Sequence, residues 1–152
     1  MRSPGPQDPP RTKRSVSLAI HRDPVGPAGR EILLVQRPED DQELPLAWGL
    51  PAASLEPGES WEDAVRRAAR DKLGIDVEPG EVLAEGALDR PSYRLAMRLY
   101  AARIGRGDPA VPQDVAGVTQ YRAWRWGPAE ALRPAAAAGS LCSRLYLTRR
   151  PV

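Results

Sequence analysis

The stretch Ala47 to Ile75, AWGLPAASLEPGESWEDAVRRAARDKLGI, decides how the rest of the chain is read. Its second half carries helix punctuation at both ends. Ser60 offers a side-chain oxygen to free backbone N–H groups, Glu62 and Asp63 suit the positive end of a helix, and Gly74 suits the residue just past its last turn. Between them, Trp61, Ala64, Val65, Ala68, Ala69 and Leu73 form an apolar stripe that can dock on a sheet while the charges face water. The spacing predicts a helix over residues 60–73. The first half belongs to a longer stretch, residues 38–59, which is too broken by charge, proline and glycine for a regular element. Trp48, Leu50 and Leu55 make it too apolar for a detached linker, so an ordered loop serving a site is expected.

Working outward, SVSLAIH (15–21) alternates apolar and polar residues as a half-buried strand does, and EILLVQR (31–37) reads as a second, more buried strand. The Pro/Gly loop between them suggests a hairpin. Beyond the helix, EVLAEGALD (81–89) and YRLAMRLYAARI (93–104) alternate as strands, residues 105–117 read as a loop, and TQYRAWRW (119–126) as a short strand. The last stretch, residues 128–149, offers helical segments broken at Pro134 and Gly139. Residues 1–14 are proline-rich without apolar periodicity and are expected to be a flexible tail, with one domain over 15–152. A chain of 152 residues is the size of one domain with one substantial core.

A net charge of +2, from 22 basic and 20 acidic residues, is far from the concentrated basic surface of a nucleic-acid binder, so nucleic acid is not the expected partner. The single cysteine, Cys142, excludes an internal disulfide, and with one histidine, His21, there is no Cys/His zinc cluster. No stretch reads as a signal peptide or a membrane span, so a cytoplasmic protein that does not enter a membrane is expected.

The segment 47–75 resembles the Nudix (MutT-like) box, G-x5-E-x7-R-E-U-x-E-E-x-G-U with U aliphatic. Laid on the chain without gaps, the box places Ala53 at its opening glycine, Glu59 at its first glutamate, Arg67 at its arginine, Ala69 at its aliphatic site, and Gly74 and Ile75 at its end. LLVQR before the loop and the aromatic strand with its proline-led helix, WRWGPAEAL, follow the family's order, so the resemblance covers nearly all of residues 15–148. It implies an α/β fold, a Nudix-type α/β/α sandwich with a mixed sheet, and hydrolysis of a diphosphate linkage with a divalent cation. It also implies that Glu59 pairs with Arg67 and organises the loop.

Where the family has a glutamate after the arginine and two adjacent glutamates further on, this chain has Ala68, Asp71 and Lys72. A hard cation needs several oxygen ligands; alanine supplies none and an ammonium repels the ion, which puts a Mg2+ or Mn2+ cofactor in question. Asp71 and Glu56 are the candidate metal ligands that are left, and Glu59, Arg67 and Asp71 the candidate catalytic group. At a former metal position, Lys72 can contact a phosphate as a point charge. Arg37 at the end of the second strand can reach the same group, and Trp48, Trp124 and Trp126 offer faces for a base. The reading drawn is a protein that binds a phosphorylated small molecule of the nucleoside-diphosphate type, with metal-dependent hydrolysis weak or lost. The alternative is an active divergent hydrolase whose Mg2+ is held by non-standard acids such as Glu43, Glu56 and Asp114. A homodimer is compatible with either.

Overall fold

The computed structural model of the chain describes residues 11–22, 30–113 and 121–149. Residues 1–10 of the expected tail, the loop 23–29 and Asp114 lie outside these. The helix expected from the box segment is α1, Trp61–Leu73: the Ser60 side chain accepts from the Asp63 N–H, and Gly74 closes the last turn in the left-handed conformation at φ 66°. That conformation is cheap only without a Cβ, which is why a glycine ends this helix.

The strands are β1 (Thr12–Arg22), β2 (Glu31–Gln36), β3 (Trp48–Gly49), β4 (Ala52–Ser54), β5 (Asp76–Asp89), β6 (Arg94–Arg106) and β7 (Ala123–Gly127). They join one mixed seven-stranded sheet. β1 is its hub, running parallel to β6 from Thr12↔Arg94 to Ile20↔Ala102. On its other edge it pairs antiparallel with β4 (Ser15–Ser17) and then with β2 (His21 and Arg22). The expected hairpin therefore exists only at the far end of β1, because β4 from the loop occupies the rest of that edge. β1 opens at Thr12, three residues ahead of the boundary drawn at Ser15, and Thr12, Lys13 and Arg14 pair with β6. β5 starts at Asp76, five residues ahead of the expected strand, and bends through register shifts between Pro79 and Ala84.

Helices cover both faces of the sheet. α1 rests on β1, β4 and β5, while α3 (Leu141–Thr148) rests on β5 and β6. A 3-10 turn (Ala129–Leu132) and the short α2 (Arg133–Ala137) lead into α3. Val16, Leu18, Ile20, Leu33 and Val35 pack with the α1 stripe, whereas Ala19, Ile32 and Leu34 pack with α3. This two-sided cover corrects the half-buried reading of SVSLAIH: Ser15 and Ser17 are buried as well, since neither face of β1 meets solvent. Trp61 is only partly buried at the edge of the stripe, where the guanidinium of Arg98 lies 4.3 Å from its ring centroid.

Candidate functional site

The loop before α1 is clamped by one arginine. Arg67 donates from Nε to Glu59 Oε2 at 2.8 Å and from its second terminal nitrogen to Glu59 Oε1 at 2.9 Å and to the Ser54 carbonyl at 2.6 Å. Glu59 Oε1 also accepts the Glu56 N–H at 3.0 Å, across a turn in which Gly58 has φ 76°. The two side chains are 13% and 19% exposed, and the paired, fork-like geometry makes this a stronger contact than a typical surface ion pair. The Arg67 guanidinium holds the Glu59 carboxyl below its usual range, and the Glu59 bonds keep Arg67 charged.

The remaining candidate metal ligands are gathered around Arg67. The Glu56 side chain is 65% exposed with an oxygen 3.7 Å from Arg67 Nε, and Asp71 lies 3.8 Å from another Arg67 nitrogen. Glu59 spends both oxygens on the same guanidinium. Ala68, at the position where the box has a ligand glutamate, is 0% exposed in the α1-side core. Among the described residues, no three His, Cys, Asp or Glu side chains are grouped so as to hold a metal ion. Three carboxylates arranged around an arginine form an anchored loop, and they do not fit a divalent-cation cage.

The neighbouring hollow has the opposite character. A cavity of about 630 Å3 runs from the Lys72 side of α1, past Ala53 and Ser54, to the loop 38–44 and the start of α3. That volume is in the range of small-molecule sites, roughly 300–1,000 Å3. Lys13, Arg37, Lys72 and Arg90 line it, as do Asp40, Asp41 and Glu43. Trp48, Leu50, Leu95, Met97 and Leu141 supply an apolar portion. The sequence candidates thus divide: Lys72, Arg37 and Trp48 share the cavity wall, whereas Glu56, Glu59, Arg67 and Asp71 lie outside it. Trp124 and Trp126 do not line it; they stack edge to face with centroids 6.3 Å apart and pack against the α1-side core.

Lys72 is held under an aromatic ring, its Nζ 5.0 Å from the centroid of Tyr121. Burial, with the nearby guanidinium groups of Arg37 and Arg67, lowers its pKa to about 8 despite the opposing charge of Asp71. Tyr121 is buried; its hydroxyl accepts the Ala52 N–H at 3.0 Å, and burial pushes its pKa up to about 12. It therefore ties the loop to the far edge of the sheet as a neutral phenol. Arg37 donates to Asp41 at 3.0 Å, and the same Asp41 oxygen accepts the N–H groups of Leu44 at 2.7 Å and Glu43 at 3.2 Å. Burial alone would raise the Asp41 pKa, but those N–H donors and Arg37 bring it below its usual value. Arg90 reaches Glu43 only at 4.0 Å, and its Nε is buried without a partner among the described residues.

Tyr121, Asp41, Arg90 and Lys13 are the site residues that sequence reasoning missed. Asp41 sits in an acidic run, PEDDQE, where any of four carboxylates could cap the turn. Tyr121, at the entry to β7, carries no local signal, because its partner Ala52 is 69 residues away.

Comparisons with known proteins agree with this architecture. Residues 12–143 match the family model described as the NUDIX domain. The RNA pyrophosphohydrolase of Pseudomonas putida strain GB-1 is 28% identical over 98 residues, covering 53% of this chain and 60% of that protein. The chain thus spans about 60% of the length of the curated relatives it matches. Among solved structures, a NUDIX hydrolase from Nitrosomonas europaea superposes with a TM-score of 0.68 at 19% identity, covering 93% of this chain and 94% of that one. A MutT NUDIX hydrolase from Burkholderia pseudomallei gives 0.63 at 24% identity, covering 86% and 99%. Among the described residues no helix is long and apolar enough to cross a membrane. Since the matched segment takes in the hub strand, the loop, the helix and the far strands together, and not the box alone, the chain belongs to the NUDIX family.

Proposed function

We propose that the chain binds a phosphorylated small molecule of the nucleoside-diphosphate type in the 630 Å3 cavity, with Lys72 and Arg37 taking the anionic groups directly and with metal-dependent hydrolysis weak or lost. The observation that carries the reading is the position of Lys72. Lys72 lines the cavity at a position where the family's box has a carboxylate, while Glu59 and Asp71 lie against Arg67. A cation on that wall attracts phosphate oxygens and repels a second cation, so one residue favours the ligand and opposes the metal. The guanidinium of Arg37, fixed by Asp41, adds donors at the same wall, and Trp48 with the leucines beside it can cover an apolar portion of the ligand.

The test is calorimetric titration of ADP into the full chain, with EDTA and then with Mg2+. Equal affinity in both is expected, with a loss of ~10- to 100-fold in Lys72→Met, the range for removing one charged hydrogen-bond partner. Binding that requires Mg2+, or Mg2+-dependent phosphate release that survives Lys72→Met, would overturn the reading and return the search to the loop acids.

A further inference from the structure

A second hollow, of about 880 Å3, opens on the α3 side of the sheet at the opposite end of β1. It shares no wall residue with the first among the described residues. Its floor is made of small residues: Gly80, where an added Cβ would come within 3.1 Å of the Ala101 carbonyl, together with Ala101 and Ala129. Nothing in the NUDIX reading uses it.

The walls are rich in nitrogen donors. His21, the chain's one histidine, lies next to the end of β1, with Nε2 2.7 Å from the Tyr146 hydroxyl of α3. Arg149, just past α3, lies 3.7 Å from the centroid of the Tyr146 ring and donates to the Tyr146 carbonyl at 2.6 Å. These contacts hold the guanidinium in place and cap the exposed end of α3, leaving further N–H groups for a ligand. Arg30 lines the same wall, and Arg103 comes from β6, one row beyond the Ile20↔Ala102 pair and on the side of the sheet that His21 faces.

The acids of this hollow, Glu78 and Glu81, lie on β5, and Glu78 pairs with Arg103. β5 is two strands away from β1, about 10 Å at the usual strand spacing. The His21 end is therefore the positive end. Burial lowers the imidazole pKa to about 4, with Arg30 and Arg149 adding to it.

We infer that this hollow is a second oxyanion site, in which Arg149, Arg30 and the His21–Tyr146 pair bind a phosphate group apart from the NUDIX cavity. With Tyr146 donating to Nε2, the neutral imidazole carries its proton on Nδ1 as a further donor, and a bound phosphate anion favours the imidazolium. The proposal does not depend on what the first cavity binds.

Because the chain has one histidine, the imidazole 1H–13C NMR signal reports on this site alone. Inorganic phosphate is titrated into the full chain at constant ionic strength, with chloride as the balancing anion. A saturable shift is expected, along with a rise in the His21 midpoint from about 4 towards its ordinary 6.5. Arg149→Ala should weaken the response ~10-fold or more, and Arg30→Ala, just ahead of β2, should weaken it too. Lys72→Met should leave it in place, which separates this site from the first cavity. A shift that does not saturate, that chloride reproduces, or that survives both arginine substitutions would overturn the inference.

Discussion

Arg67 is the residue on which the loop's order turns, since its guanidinium holds Glu59 and the Ser54 carbonyl at once. In Arg67→Met, hydrogen exchange at the Leu55 and Glu56 amides should quicken by about tenfold, corresponding to ~1–2 kcal/mol of local stability for a mostly enclosed, doubly bonded pair. Unchanged exchange would show that the backbone turn holds without the clamp. His21 allows a second test. Its folded pKa, about 4, lies below the ordinary 6.5, so on acidification the unfolded chain takes up the proton first. Stability should therefore fall as pH drops from 6.5 towards 4, with that contribution complete below 4. Urea unfolding at pH 7 and pH 5 should show this loss in the native chain and a smaller one in His21→Gln; equal losses would sink the assignment. Sequence reading reached Glu59 and Arg67 through the resemblance to the Nudix box, whose motif lies within one segment. It could not reach Tyr121 or Asp41, whose roles depend on a fold-dependent contact and on a choice among adjacent acids.

At the scale of elements, legibility followed how locally each element is determined. α1 was readable nearly to the residue because its cap, its stripe and its terminal glycine all lie within the segment. Ser60→Ala should cost ~1 kcal/mol in denaturant unfolding by leaving the Asp63 N–H without its acceptor, and Gly74→Ala about as much through the strained positive φ. A pair of neutral results would mean that the helix ends are set by tertiary packing and not by their caps. The strands were less legible. β4 is three residues long and exists because Ser15–Ser17 offers it an edge, while β1 was read as half-buried because its serines look solvent-facing. Both misreadings have one origin: which edges and faces are covered is decided by chain far away.

Across the whole molecule, one face of α1 runs from the core to the cavity, so two ligand positions of the family's box, one turn apart on that face, meet different surroundings. Ala68 faces the core at 0% exposure, packed with residues such as Val65, Ala69 and Leu73 of its own helix and Tyr100 of the sheet, while Lys72, one turn on, lines the cavity. A carboxylate at 68 would have to enter a packed apolar layer with only Lys72, one turn on, as a counter-charge, whereas a carboxylate at 72 would replace one charged group with another at the cavity wall. Ala68→Glu should therefore lower the unfolding free energy by ~2–4 kcal/mol, and Lys72→Glu should change it by less than ~1 kcal/mol. Lys72→Glu also places a second carboxylate beside Asp71, so Mn2+ affinity followed by calorimetry should rise relative to the native chain while ADP affinity falls. The two changes should move in opposite directions, because the substituted side chain attracts the metal and repels the phosphate. If Ala68→Glu proves neutral, the helix can turn that position towards solvent, and a metal-binding face could be rebuilt there without disturbing the core. If Lys72→Glu leaves ADP binding intact, the phosphate is held elsewhere in the cavity, and Arg37 and Arg90 become the groups to remove next.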